Sequence, residues 1–384
     1  MVRAFGIVKN ADRSIPGQFF DVELPIIKDD EVLIKVRSAG LNYNSLWSLA
    51  RSPADPFQLL SSMVARNPDR GHHLLPYQII GSDASGTVEE VGGAVSNWKV
   101  GDEVVVHCSV VNPNDPVAAI DDLLSESEAI WGYETNFGAF ATHAIVRAHQ
   151  LHRKPPQLSW DDAASYMLTH TTAYRMLLSE NGARLKQGET CLIWGAAGGL
   201  GLFAIQLAKL VGAVPIAVVS SEDRGKICRS YGADLIINRT EMKHALINDE
   251  GMPNPLAWRE WKRRLTQLGV DAPDVVFEHV GRETLAASIY LARRGGRVVT
   301  CAASSGYESF IDLRYLWMNV KSLIGSHISN RFEAAEAHTL VANGAIRTTV
   351  TDVAPFDELP ALLSRFRNGD IAGKAVVSID GYPQ

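Results

Sequence analysis

Ile193-Trp194-Gly195-Ala196-Ala197-Gly198-Gly199-Leu200-Gly201-Leu202 is the stretch whose reading decides the fold. An apolar run, Cys191-Leu192-Ile193-Trp194, leads into it, and a helix-like pattern from Phe203 to Val211 leads out. A strand, a glycine-rich turn and a helix in that order make a dinucleotide site. Glycine lets the backbone turn tightly and approach a pyrophosphate, and the helix N-terminus offers unpaired N–H groups at its positive end. Gly195, Ala197, Gly198, Gly199, Leu200 and Gly201 are therefore candidate cofactor-binding positions. A glycine string alone is weak, and a purely structural turn is the competing reading; the setting carries the argument.

Downstream, Ile216-Ala217-Val218-Val219, Leu235-Ile236-Ile237, Val275-Val276-Phe277 and Val298-Val299-Thr300 alternate with helical patterns. Continuous apolar strands between helices indicate a parallel sheet covered on both faces. The second strand ends Val218-Val219-Ser220-Ser221, without the acidic residue that usually binds the ribose 2′-hydroxyl of NAD. Ser220, Ser221, Arg224 and Lys226 can receive a 2′-phosphate instead, so NADPH is favoured. Glu222 and Asp223 oppose this unless they point away. The alternative is a solvated helix start in which Glu222 pairs with Lys226.

Upstream the texture differs. The first 150 residues read as short β-strands, such as Val32-Leu33-Ile34-Lys35-Val36 and Val104-Val105-Val106, separated by Gly, Pro and Asp turns. Helical patterning begins near Trp160, and a strand-rich pattern returns from about Asp352. The expected architecture is a β-rich domain, 1–160 with 344–384, interrupted by a doubly wound nucleotide domain, 161–343.

The 384-residue chain is long enough for two cores, and its 46% hydrophobic and 21% charged residues are a globular balance. A net charge of −6 argues against a nucleic-acid surface. No apolar stretch reaches the roughly 18 residues of a membrane span, and Met1-Val2-Arg3-Ala4-Phe5 lacks a signal-peptide pattern, so a cytoplasmic location is expected. Cys108, Cys191, Cys228 and Cys301 are too scattered for a disulfide scaffold or a zinc ribbon.

A β-rich domain interrupted by a Rossmann domain resembles the medium-chain dehydrogenase/reductase superfamily over nearly the whole chain. The resemblance implies an α/β protein with a GroES-like catalytic domain. Where zinc alcohol dehydrogenases of that superfamily carry Cys and His ligands, this chain has Asn42-Tyr43-Asn44-Ser45 and Gly81-Ser82-Asp83. No metal is expected. Without a Lewis acid, the natural hydride acceptor is a conjugated alkene.

Longer strings narrow the resemblance. Ile79-Ile80-Gly81-Ser82-Asp83-Ala84-Ser85-Gly86, Ile130-Trp131-Gly132-Tyr133-Glu134-Thr135-Asn136-Phe137-Gly138 and Phe277-Glu278-His279-Val280-Gly281 are similar to the crotonyl-CoA carboxylase/reductases. So are Arg314-Tyr315-Leu316-Trp317-Met318 and Ile324-Gly325-Ser326-His327. The resemblance implies reductive carboxylation of an α,β-unsaturated acyl-CoA by NADPH, with CO2 as co-substrate. It also implies roles. Asn44 would hold CO2, Tyr133 would line its pocket, and Glu134 with His327 would fix a water. His279 would join the cofactor set, while Tyr290, Arg294, Arg314 and Tyr315 would meet the adenine end of CoA, some from a neighbouring subunit. Tyr290 and Arg294, four apart, would share a helix face. The assembly implied is a homodimer or homotetramer.

Each residue also has a plainer interpretation. Asn44 could be a helix cap, Tyr133 core packing, Glu134 a surface carboxylate and His327 a buried histidine at a strand end. The stretch Val110 to Glu128, Val280 and Ser322 depart from the family pattern and suggest a divergent branch. Two other functions remain open: an NADPH-dependent enoyl-CoA or quinone reductase that protonates the enolate, and a non-enzymatic NADPH-binding protein.

Overall fold

The structure is a computed structural model that describes residues 1–10, 17–379 and 381. The chain divides into two compact units, Met1–Leu168 with Ser329–Gln384, and Thr169–Ile328.

The first unit is organised by the strand Glu31–Gly40, whose alternation buries Val32, Ile34 and Val36. It pairs antiparallel with Ala84–Val91, His143–Arg147 and Lys374–Ser378. The full sheet of seven strands also takes in Glu103–Val106, Leu151–Arg153 and, parallel to Lys374–Ser378, Val350–Pro355. A second sheet of three strands joins Gln18–Val22, Val2–Val8 and Tyr77–Ile79. Trp131, Phe140 and Phe356 fill the core, and the Trp131 indole N–H reaches the Phe137 carbonyl at 3.0 Å. The strands Val350–Pro355 and Lys374–Ser378 of the C-terminal tail belong to this unit.

The second unit is a six-stranded parallel sheet. Its strands run in the order Leu235–Asn238, Val214–Val219, Thr190–Ile193, Val275–Glu278, Arg297–Thr300 and Ser322–Gly325. This is the doubly wound order, with its topological switch beside the first strand of the unit. Leu192, Val218, Val276 and Val298 are fully buried or nearly so, and Trp194 packs on Trp261 with centroids 4.7 Å apart. The helix Pro255–Gln267 starts on an Asn254 cap with proline in its first turn. Among the described residues, no helix is long and apolar enough to cross a membrane.

The division by contacts falls later than expected at the first boundary and earlier at the second. The second shift has a local cause. The helix Arg331–Ala342 begins with a capping box, in which Asn330 and Glu333 satisfy each other's backbone N–H groups. Asn330 Nδ2 then donates to Asp121 at 3.2 Å, and the Arg331 N–H donates to Asp122 at 2.8 Å. These bonds tie the helix to the first unit.

One expectation is corrected. Tyr290 and Arg294 do not share a helix face, because the helix Leu285–Leu291 ends before Arg294. Ala292 leaves the helical region with ψ 142°, and Gly295 turns the chain with φ +69°.

Candidate functional site

The glycine turn is shaped by close approach. Gly195 has φ +55°, and a Cβ there would lie 2.8 Å from the His279 ring. Nε2 of that ring bonds the Trp194 carbonyl at 2.8 Å, which requires it to carry the proton. Burial pushes the His279 pKa down, so the ring is neutral. Gly198 occupies the cap of the helix Gly199–Leu210. A Cβ on Gly201 would come within 2.6 Å of the Ala196 backbone, so the helix can close on the turn only over glycine. Ala197 and Leu200 flank these positions in the same turn.

The string Phe277-Glu278-His279 has a structural logic that spacing does not reveal. The buried Glu278 carboxylate accepts bonds from the N–H groups of Val280 and Gly281, at 2.7 and 2.9 Å. It also accepts from the hydroxyls of Thr284 and Ser288, at 2.8 and 2.7 Å. Ser288 in turn accepts the Trp194 indole N–H at 2.8 Å. One carboxylate thereby braces the loop that carries His279 to the residue preceding the glycine turn.

At the next strand end, Ser221 caps the helix Glu222–Ser230 by accepting the Arg224 N–H at 3.3 Å. Lys226 lies 2.9 Å from Asp223 and 3.9 Å from Glu222 on an exposed surface, so the competing helix-start reading is partly realised. Such exposed pairs are weak and yield readily to a phosphate. Ser220 and Arg224 are partly exposed beside them. The glycine cradle, the free helix start and these hydroxyls fit a dinucleotide.

Tyr290, Tyr315 and Trp258 form an aromatic cluster, with Tyr290 5.1 Å from each of the other two rings. The Trp258 indole N–H is buried there without a hydrogen-bond partner among the described residues. Arg314 grips the Asp312 carboxylate through Nε, at 3.0 and 3.2 Å, and through one terminal nitrogen at 2.7 Å, and Arg294 donates to the Met318 carbonyl at 3.1 Å. Both guanidinium groups are exposed.

In the first unit, Asn42 is the cap residue of the helix Tyr43–Ala50, and Asn44 lies inside the helix. The cap interpretation of Asn44 is therefore set aside. It is 7% exposed and donates from Nδ2 to the Ser82 hydroxyl at 2.8 Å, while Oδ1 is buried without a partner among the described residues. Leaving a buried amide oxygen unpaired costs about 1–3 kcal/mol, so this end of the amide is open to a further hydrogen bond. Beside it, the buried Lys374 ammonium donates to Asn42 Oδ1 at 2.7 Å, to the Leu41 carbonyl at 2.8 Å and to Asp83 at 3.2 Å. Burial pushes the Asp83 carboxyl up and the Lys374 ammonium down, each partly offset by the other.

Tyr133 is half-buried, with its ring 6.3 Å from Trp47 and its carbonyl bound by Gln78 at 2.7 Å. Glu134 is also half-buried; its carboxylate accepts the Ile130 N–H at 2.9 Å. Nearby Glu128 is raised to about 8 by burial and by the charge of Glu134. His327 belongs to the second unit. It lies two residues beyond the strand Ser322–Gly325 and is exposed, not buried as its plainer interpretation requires.

These residues do not fit a zinc ion. At the positions of the superfamily's ligands stand an amide–hydroxyl pair and a carboxylate already neutralised by a buried ammonium, which repels a second cation. Elsewhere, Glu31, His72 and His73 bring donor atoms within 4.8 Å of one another. Glu31 there already receives Arg70 at 2.9 Å and His72 at 3.0 Å, and His73 Nδ1 accepts the Asn136 N–H. That group is an ion-pair network.

Comparisons with known proteins place the chain. Residues 28–156 match the alcohol dehydrogenase GroES-like domain, and residues 199–343 match the zinc-binding dehydrogenase domain. Together with the fold, these matches define a medium-chain dehydrogenase/reductase. A crotonyl-CoA reductase of Streptomyces avermitilis is 45% identical over 339 residues, covering 88% of this chain and 76% of the relative. The crotonyl-CoA carboxylase/reductase of Cereibacter sphaeroides is 39% identical over 368 residues, covering 93% and 82%. The 2-octenoyl-CoA carboxylase reductase CinF, solved with NADP and 2-octenoyl-CoA, superposes with TM-score 0.93 at 38% identity, covering 100% of this chain and 88% of that one. The chain belongs to the crotonyl-CoA carboxylase/reductase family.

Sequence reasoning did not single out three residues that organise these sites. Ser82 lies inside the family-like string Ile79 to Gly86 but carries no signal of its own. Glu278 likewise passes as part of a motif. Lys374, in the tail, carries no local signal at all.

Proposed function

We propose that the chain is an NADPH-dependent enoyl-CoA carboxylase/reductase whose Asn44 amide captures CO2. The observation that carries the role of Asn44 is its half-satisfied amide, buried on the helix Tyr43–Ala50 and anchored to Ser82. NADPH, held by the turn Gly195 to Gly201 with Ser220, Ser221, Arg224 and Lys226 at its 2′-phosphate, supplies the hydride for the β-carbon of the enoyl thioester.

The electron pair displaced from the alkene forms an enolate, whose α-carbon attacks CO2 to give an alkylmalonyl-CoA. CO2 is uncharged, so it is recognised mainly as its oxygens gain charge. Fixed donors aimed at that developing carboxylate act in the transition state. Asn44 supplies such a donor. Glu134 offers a carboxylate that holds a water for the same oxygens, and Tyr133 helps to exclude bulk water, whose protons would quench the enolate. Tyr290 and Tyr315 offer faces for adenine, and Arg294 and Arg314 offer charge for the CoA phosphates. His279 steadies the turn through Trp194.

The protein acts as a homo-oligomer in the cytoplasm. In support, Ser322–Gly325 is an edge strand, and Trp317, Val320 and Leu323 beside or within it are exposed.

The test is NADPH oxidation with a series of enoyl-CoAs, in bicarbonate and in CO2-depleted buffer, with the products weighed. A product heavier by one CO2 in bicarbonate is expected. A saturated acyl-CoA as the sole product in both buffers contradicts the carboxylase reading and leaves an enoyl-CoA reductase.

A further inference from the structure

The amide of Asn44 and the hydroxyl of Ser82 form a buried pair with one end left over. Nδ2 of Asn44 donates to Ser82 Oγ at 2.8 Å, and Oδ1 is buried with no hydrogen-bond partner among the described residues. Ser82 Oγ makes no other hydrogen bond among the described residues, and its side chain is fully buried. Its own proton is therefore unused. An amide's two ends differ only by the hydrogen-bond network that surrounds them, and a serine hydroxyl can accept or donate.

We infer that Ser82 is a positioning residue that sets which end of the Asn44 amide faces CO2. This rests on the reading of Asn44 as the CO2-binding residue. With the amide turned by half a rotation about its terminal bond, the Ser82 O–H donates to Oδ1 across the same spacing. The oxygen that lacked a partner is then satisfied. The NH2 group comes to occupy the space Oδ1 had held, where it presents a donor to an incoming oxygen. The opposite orientation would set a carbonyl oxygen against a developing carboxylate, which is repulsive. Only the donating Ser82 gives an amide complementary to the charge that forms.

The pair is held in register from behind. Asp83 follows Ser82 directly, and Asn42 lies two residues before Asn44. Both are bonded to the same Lys374 ammonium, at 3.2 and 2.7 Å. One buried cation thus sets the separation between the segment carrying the hydroxyl and the helix carrying the amide.

The test compares wild type, Ser82→Ala, Ser82→Cys and Ser82→Thr by KM for CO2 and by carboxylated product formed per NADPH consumed. Tm and NADPH affinity report folding. Ser82→Ala loses the orienting bond, and its KM for CO2 should rise about tenfold, with a lower carboxylated fraction. Ser82→Thr keeps the hydroxyl and should return both values to within about threefold of wild type. Should Ser82→Ala not fold, Ser82→Cys, a weak donor of similar size, carries the same expectation. An Ala or Cys variant with wild-type KM for CO2 and wild-type carboxylated fraction overturns the inference. So does a folded Thr variant that fails to restore them. A wild-type enzyme that never carboxylates sinks the carboxylase reading, and this inference with it; carboxylating wild type beside an indifferent Ser82→Ala sinks this inference alone.

Discussion

The nucleotide turn runs through seven consecutive residues, Gly195 to Gly201, whereas the Asn44 centre gathers Asn42, Asn44, Ser82, Asp83 and Lys374 from three distant segments. Within the centre, Asn44 and Ser82 are 38 positions apart, and Lys374 and Asn42 are 332 apart. The turn works mainly by backbone: glycines that allow close approach, and a helix start. The Asn44 centre works by side chains in a buried polar network, each needing a partner from elsewhere. Damage to the turn should therefore stay local, while damage to the centre should spread into stability. Buried polar networks are costly when half-satisfied, and apolar contacts forgive more.

The largest expected effect is at Lys374. Lys374→Ala leaves Asp83 buried without its counter-ion, and should cost about 3–5 kcal/mol in denaturant unfolding. The double variant Lys374→Met with Asp83→Leu removes both charges and should recover most of that loss. Recovery of stability without recovery of the carboxylated fraction would sharpen the distinction between holding the fold and placing Asn44.

At the turn, Gly201→Val drives a branched side chain into the Ala196 backbone, 2.6 Å from where a Cβ would sit. NADPH affinity measured by fluorescence titration should fall about a hundredfold, equivalent to about 2.7 kcal/mol. Wild-type affinity would break the claim that close approach shapes this turn.

Acid should separate the two units. Burial pushes His73, His107 and His149 of the first unit down to about 3, and His152 to about 4. They stay neutral in the folded state, while the unfolded chain takes up their protons below about 6.5. Their contribution to stability is therefore complete above that pH and is lost as pH falls toward 4. Each removes about 1.4 kcal/mol per pH unit in that window. Hydrogen exchange at pH 7 and pH 5 should show the first unit losing more protection. Equal losses in both units would contradict the assignment.

The smallest stability effect is at Arg314, whose pair with Asp312 lies in solvent. Arg314→Ala should leave Tm unchanged yet raise KM for the enoyl-CoA. An unchanged KM would remove Arg314 from the CoA site.

The same contrast explains what the sequence made legible. The sheet of the second unit announces itself through five apolar runs and one turn, because every strand is buried on both faces. The β-rich unit was readable as strands. The partner of Asn44 was not readable. Nothing near Ser82 marks its hydroxyl as the anchor of an amide on another segment, and Lys374 looks like an ordinary strand-end lysine. Tyr290 and Arg294 failed for a different reason. Spacing assumed a continuous helix, but Ala292 and Gly295 end it. The boundary near residue 329 shifted because Asn330 and Arg331 found their partners in Asp121 and Asp122, in a stretch whose departure from the family pattern gave no hint of that task.

The central claim is that Asn44 decides the fate of the enolate after the hydride has been delivered. The most direct measurement is a single turnover with isotopically labelled bicarbonate, comparing wild type with Asn44→Ala and scoring label incorporated per NADPH consumed. The account predicts high incorporation in wild type and a fall of at least about tenfold in the variant, with saturated acyl-CoA taking its place. Incorporation per NADPH equal to wild type in a folded Asn44→Ala would contradict it.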